Sequence, residues 1–216
     1  SLDTRKRIGS DGEAAIGDLE GTGSATRKYH RENLFYNEDS PVIRYLSENY
    51  PEFAPTSILD IGCSVGGGIP DYAEAFSDAE IHAIDVSAGM LRYGHPRMEA
   101  AGIAVHFSQQ NAEHTDFKDN SFDLIVSNIA LHEISHKAFP RIMKECHRIL
   151  KPGGIMVHLE VPLRNAKLDL YNSWYRDWST HYNNEPFWGK LHDMDVVEPI
   201  TKAGFKKDKT FDKFVP

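Results

Sequence analysis

Three acids, a histidine and a glycine-rich turn carry the residue types and spacing that could do chemistry. The segment Ser57–Gly68 reads SILDIGCSVGGG. Its apolar run, Ile58-Leu59-Asp60-Ile61, stops abruptly at Gly62, and Gly66-Gly67-Gly68 follow. Glycines let a backbone turn sharply and approach a ligand closely. The helical pattern that comes next, Ile69, Tyr72, Ala73 and Phe76, offers unpaired N–H groups at its start. A second apolar run, Ile81-His82-Ala83-Ile84, ends in Asp85. An acid about 20 positions beyond such glycines, at the tip of the next strand, suits hydrogen bonding to a ribose diol. Asp60 beside the turn would repel a pyrophosphate but suits a cationic amino-acid or sulfonium group.

The dinucleotide pattern G-x-G-x-x-G is not met, because Ser64 stands where its second glycine would be. The frame Asp-x-Gly-x-x-x-Gly is met by Asp60, Gly62 and Gly66. It resembles motif I of the class I S-adenosylmethionine-dependent methyltransferases. Further along, Asn111-Ala112-Glu113 falls where that family holds the adenine, and Leu150-Lys-Pro-Gly-Gly154 resembles the family's turn before its fifth strand. Four parts in the family's order, over roughly residues 57 to 161, are more specific together than any one alone. Ser64, where many relatives carry glycine, is the one departure within these parts.

These segments need a sheet to bring them together. Strands are expected at Ser57–Ile61, Ile81–Asp85, Ile103–Phe107, Phe122–Ser127 and Ile155–Val161, with helices between them. Ser40-Pro41 reads as a helix start, with Ser40 as cap, and Val42, Ile43, Leu46 and Tyr50 on one face. Ser87 caps a helix that carries Met90, Leu91 and Met98 inward and closes near Gly102. Phe139, Ile142, Met143, Cys146, Ile149 and Leu150 form a helical stripe. Asp193 is read as opening a last helix that Pro199 must kink or delay, and Phe205–Val215 as a strand. The resulting fold class is α/β, a Rossmann-like doubly wound and mostly parallel sheet with helices on both faces and an aromatic-rich lid insertion. Residues 1–26 are expected to form a mobile N-terminal arm. Residues 27–216 then form a single methyltransferase domain, in which 162–192 is the lid.

The resemblance implies methyl transfer from S-adenosyl-L-methionine by in-line displacement to an O, N or S atom of a small-molecule acceptor. By that resemblance Asp60, Gly62, Cys63, Ser64 and Gly66 hold the methionine portion and Asp85 the ribose. Asn111, Ala112 and Glu113 bind the adenine, and Ser127-Asn128 close the methionine side. Val86 and Met90 are read either as flanking the adenine, with one contact each, or as ordinary core residues. His132, five residues past the central strand, is either a base near the methyl group or a hydrogen-bonded structural histidine. Tyr36, Trp174, Tyr175, Trp178 and His181 are the candidate acceptor contacts, with Glu160 a further polar one. For Tyr29–Tyr36 and for the aromatics, packing against the sheet is the competing account, and the favoured one for most of the rings. No metal is expected, since neither Cys63 nor Cys146 has ligand spacing.

Composition limits the classes that remain. The net charge of −8 disfavours a general nucleic-acid surface and so an RNA methyltransferase. The Asn-Pro-Pro-Tyr type of motif is absent, since position 128 begins Asn-Ile-Ala-Leu. No apolar run approaches a membrane span. Two cysteines without a pairing pattern fit reduced thiols and a cytoplasmic setting. A nicotinamide-dependent oxidoreductase, a non-catalytic cofactor-binding partner protein and a homodimer stay open as alternatives.

Overall fold

The structure, a computed structural model, describes residues 40–161, 170–182 and 186–210. Helix α1 (Pro41–Asn49) leads into β1 (Ser57–Ile61), α2 (Ile69–Ala75), β2 (Glu80–Asp85), α3 (Ala88–Ala100) and β3 (His106–Gln109). Then come β4 (Phe122–Asn128), a 3₁₀ turn at Leu131–Glu133, α4 (Phe139–Ile149) and β5 (Leu150–Leu159). Helices α5 (Leu170–Tyr182), α6 (Trp188–Asp193) and α7 (Val197–Lys202) follow. The five strands are all parallel, in the order β3-β2-β1-β4-β5.

Strand side chains alternate between two cores. Ile58, Ile81, Ala83, Leu124 and Val126 pack against α1, α2 and α3 through Val42, Leu46, Ile69, Tyr72, Leu91 and Met98. Leu59, Ile84 and Ile125 point the other way, against Phe139, Ile142, Met143, Cys146 and Ile149 of α4 and Leu191 of α6. The α4 residues recur at helical spacing, so one face of that helix is buried along its length. Each such Leu, Ile or Phe contributes on the order of 1.5–3 kcal/mol on burial. The expected doubly wound architecture is thus present. Burial of strands on both faces explains why they read as continuous apolar runs.

Several boundaries differ from expectation, each for a local reason. Strand β3 starts at His106 rather than Ile103, because α3 ends in a glycine cap. Gly102 takes φ +70°, and the Ile103 amide donates to Met98 O at 2.9 Å. Strand β5 starts at Leu150, and the Lys151–Gly154 turn becomes an irregularity within it, between the Phe122 and Leu124 pairings. Ser40 occupies the cap position of α1 and Pro41 its first turn, but the Ser40 side chain makes no capping bond. Asp193 ends α6 rather than opening the last helix. Helix α7 begins at Val197, so Pro199 lies in its first turn, where its missing N–H costs nothing. Phe205 packs on the core and edge-on to His147, with ring centroids 5.1 Å apart. The charged run Lys206–Lys209 then folds into a 3₁₀ turn at Lys207–Lys209, not the expected strand. Residues 211–216 of that expected strand lie outside the described residues. No helix among the described residues is long and apolar enough to cross a membrane.

Candidate functional site

In an open α/β sheet the crevice outside the carboxyl ends of the strands opens where the chain reverses direction of winding. Here that point is the β1/β4 junction, since β1 leads outward to β2 and β3 while β4 leads to β5 on the other side. Asp85 and Asn128 are the last residues of β2 and β4, and the glycine turn and the 3₁₀ turn follow the carboxyl ends of β1 and β4.

The turn after β1 is anchored from below. Gly62 N and Cys63 N donate to Ile84 O at 2.8 and 3.1 Å, and Gly66 N donates to Cys63 O at 2.8 Å. Gly62 has φ +67°, and a Cβ there would lie 2.8 Å from the Ala130 Cβ. The missing side chain therefore lets the loop after β4 close down on the turn. Ser64, with φ +50°, accepts the left-handed backbone without being glycine. The Cys63 thiol is buried in the α1–α3 core, where burial and then the nearby Asp60 push its pKa above the ordinary range.

Asp60 is 2% exposed, and its Oδ1 has no hydrogen-bond partner. Burial, with Asp85 adding to it, pushes its pKa up to about 8. An unpaired carboxyl oxygen under a glycine turn is a position that a cationic group stabilises. Asp85 is engaged on both oxygens, accepting from Ser64 N at 2.8 Å and Ser87 N at 2.7 Å. Each oxygen retains acceptor capacity. Val86 and Met90 are exposed beside it, so neither is a core residue and, of the helix residues expected inward, only Leu91 and Met98 are buried; Ser87 caps α3 by accepting from Met90 N at 3.5 Å.

The segment after β3 is tied to α4. Asn111 Oδ1 accepts from Glu113 N at 2.9 Å, and the Glu113 carboxylate pairs with Arg141. Ala112 packs on the α4 core. Glu145 Oε1 accepts from both the amide and the hydroxyl of Thr115 at 2.7 Å, and from Arg148 Nη2 at 2.6 Å. Burial alone would raise the Glu145 pKa, but these hydrogen bonds outweigh it and hold the group at about 2.

The ends of β4 and β5 form a second cluster. Ser127 is fully buried, and its hydroxyl meets His158 Nδ1 at 2.7 Å. Asn128 Nδ2 donates to the Tyr72 hydroxyl at 2.6 Å. Ile129 has φ +50°, a strained value for a β-branched residue, where the chain swings out of the sheet. Glu160 then gathers the next turn: its Oε1 accepts from Ala130 N at 2.7 Å and also from Leu131 N. Its Oε2 accepts from Val161 N at 3.0 Å and lies 3.2 Å from His132 Nδ1. A carboxylate only accepts, so Nδ1 turns an N–H to Glu160, while Nε2 lies 3.7 Å from Glu133 Oε1. His132 is 6% exposed, with Trp188 at 6.0 Å between ring centroids. His158 Nε2 is buried without a partner, and burial lowers that ring's pKa to about 4, so it is neutral near pH 7.

The structure thus brings Asp60, the glycine turn, Asp85, Asn128 and His132 to one end of the sheet. It places the side chains of Cys63 and Ser127 in the interior. Two partnerships were missed in the sequence, Glu160 with His132 and His158 with Ser127. The signal for them was two ionisable residues, two apart, at the carboxyl end of an otherwise apolar strand. Of the insertion's aromatics, Trp188 packs on the α4 core as expected, but the rings of α5 do not pack onto the sheet. Tyr171, Trp174, Tyr175 and Trp178 are 68%, 56%, 40% and 39% exposed and stack on one another along α5, while Tyr175 also meets Trp188. His181 is exposed on the same helix. Tyr36, the N-terminal arm, the Tyr29–Tyr36 segment and residues 162–169 of the insertion lie outside the described residues.

Residues 58–154 match a family model described as a methyltransferase domain. The ubiquinone/menaquinone biosynthesis C-methyltransferase UbiE of Haemophilus ducreyi is 31% identical over 124 residues, 53% of this chain and 46% of that protein. The protein of the same name from Bartonella quintana is 33% identical over 138 residues, 61% of this chain and 50% of that one. The chain therefore spans about half the length of these curated relatives. Among solved structures, phosphoethanolamine N-methyltransferase 2 of Haemonchus contortus in complex with S-adenosyl-L-methionine superposes with a TM-score of 0.63. That match is 21% identical and covers 95% of this chain and 45% of that chain, so it shows likeness of fold.

Proposed function

From the match of residues 58–154 to a methyltransferase-domain model, we propose that this protein is a class I S-adenosylmethionine-dependent methyltransferase, which binds S-adenosyl-L-methionine and transfers its methyl group to a small-molecule acceptor. The observation that carries this reading is the buried, unpartnered oxygen of Asp60 beneath the glycine turn. A pyrophosphate there would meet a carboxyl group and be repelled on its ionisation. A ligand carrying an ammonium and a sulfonium would be favoured, and would draw Asp60 into its ionised form. The donor supplies a methyl group already activated by the positive sulfur. What this chain adds is alignment and exclusion of water.

The residues divide by place. Asp60 and the backbone of Gly62–Gly66 hold the amino-acid end. Asp85 holds the ribose, with its carboxylate already fixed by Ser64 N and Ser87 N. Val86, Met90 and Asn111–Glu113 line the adenine, the last held in place by α4. Ser127 acts from the interior by orienting His158, and Asn128 closes the methionine side. Trp174, Tyr175, Trp178 and His181 remain the proposed acceptor contacts, together with Tyr36.

His132 is the proposed base. Glu160 fixes its tautomer and orientation, and Glu160 itself is fixed by three backbone amides, so the pair is rigid before any acceptor arrives. A base of this kind serves an acceptor that must lose a proton, such as a hydroxyl or an enol. The relatives named as C-methyltransferases add carbon to the oxygen, nitrogen and sulfur acceptors expected from the sequence, since an ionised enol or phenol can also be methylated on carbon. The test is transfer of label from methyl-labelled donor into a metabolite extract. In that assay His132→Gln and Glu160→Gln should each lower turnover by roughly 10²–10⁴-fold. Donor affinity by calorimetry should stay at the wild-type value. Tight donor binding with no transfer to any extract would favour a non-catalytic cofactor-binding protein instead.

A further inference from the structure

At the opposite end of the sheet, three potential metal ligands meet across the two outermost strands on one side. Glu80 and His82 stand on β2, and His106 on β3 is the direct register partner of His82. The two imidazoles stack, with centroids 4.8 Å apart and planes inclined by 28°. Their Nε2 atoms converge on a single Glu80 oxygen, at 3.2 Å from His82 and 3.1 Å from His106. The three ligand atoms all lie within 4.8 Å of one another.

Those spacings are close to what a small cation requires. With ligands at ~2.0–2.1 Å, the edge of a tetrahedron around zinc is about 3.3–3.4 Å. Two of the three edges are therefore already near their bound length. His82 is held in place, edge-on to Phe117 and Phe122 with centroids 5.6 and 5.4 Å away. Glu80 and His106 are 59% and 62% exposed on their side chains, so a cation has access. Two imidazole nitrogens and one carboxylate oxygen suit zinc and its neighbours rather than calcium or magnesium, which take all-oxygen sets.

We propose that Glu80, His82 and His106 form a binding site for a divalent transition cation of the zinc type, with water completing the coordination. The sequence raised no such expectation, because the ligands come from two strands and no contiguous spacing displays them. Glu80 opens β2 and Asp85 closes it. At ~3.3 Å per residue that is about 16 Å, too far for the cation to touch a transferred methyl group. Its effect is structural: it clasps the edge strand β3 to β2, and β3 leads directly into Asn111–Glu113.

Calorimetric titration of tag-free full-length protein with zinc chloride tests this, alongside His106→Ala and Glu80→Gln. Both positions are exposed and remote from the cofactor end, and unchanged donor affinity in the variants confirms that they are folded. The expected result is one zinc per chain, a rise in melting temperature on loading, and affinity weakened by roughly tenfold or more in each variant. Cobalt(II) should give the visible bands of a low-symmetry, four- or five-coordinate site in wild type and lose them in His106→Ala. Absence of zinc uptake, or uptake that neither variant weakens, overturns the proposal.

Discussion

At the amino end of the sheet, one oxygen of Asp123 accepts from the Thr56 amide and hydroxyl, the Ser57 amide and hydroxyl, and Lys151 Nζ, all at 2.8–3.1 Å. Burial would raise that carboxyl, but the bonds from Lys151, Thr56 and Ser57 dominate and hold it well below the usual carboxylate range. At the carboxyl end of β1, Asp60 is buried more deeply, has an oxygen with no partner, and titrates near 8. The same residue type is thus satisfied at one end of the sheet and left unsatisfied at the other. The first arrangement fastens β1, β4 and β5 together. The second costs stability and is sensible only if something else supplies the missing partner.

The sharpest way to break this contrast is to neutralise each acid in turn. Asp60→Asn should weaken donor binding about 100-fold, or ~2.7 kcal/mol, while raising the melting temperature of the free protein. Calorimetry and a thermal melt read the two effects, and an unaltered affinity would remove Asp60 from the site. Asp123→Asn should do the reverse: a loss of ~2–3 kcal/mol in urea unfolding, with donor affinity per folded molecule unchanged.

The contrast is sharpened by pH. The folded pKa of Asp60 lies above its unfolded value of about 3.9, so between roughly pH 4 and 8 the folded state holds a proton that the unfolded state has lost. Stability of the free protein should therefore fall with rising pH in that window, by up to about 1.4 kcal/mol per unit from this group. Donor binding at pH 7 should release a proton, seen as a buffer-dependent heat, and should tighten toward pH 8. Asp60→Asn should abolish both. The smallest effect is at Glu145, another satisfied acid. Its pKa is depressed, so its contribution is present above about pH 4.5 and lost as pH falls through about 2. Comparing Glu145→Gln with wild type at pH 5 and pH 3 should show that difference shrink by ~1 kcal/mol.

Much of the frame was legible because its physics is local. A parallel strand buried on both faces needs an unbroken apolar run, as in Leu124–Val126, and a tight turn into α2 needs the glycines at 62 and 66. The register of β3 was less legible, since Ile103 is as apolar as a strand residue and only the glycine cap reveals that its amide is already used. Over residues 205–210 the expected strand is absent for the opposite reason: one half-buried aromatic is followed by charges with no alternation to sustain pairing. Of the site, Asp60, Asp85 and His132 could be picked out by position in the chain. The bond from His132 to Glu160 could not, because it joins residues that only the β4–β5 pairing brings together. Nor could the exposure of the α5 rings. Helical spacing shows that they share a face but not what covers it.

That exposure has an experimental corollary. The three tryptophans of this chain, Trp174, Trp178 and Trp188, all sit on α5 and α6, and none is in a strand. Tryptophan emission is accordingly weighted towards these helices, with Trp188 also sensing the core it packs on. A denaturation curve followed by tryptophan emission is weighted to α5 and α6, whereas one followed by far-ultraviolet dichroism sums over every helix and strand. Any gap between their midpoints measures how independently these two helices melt.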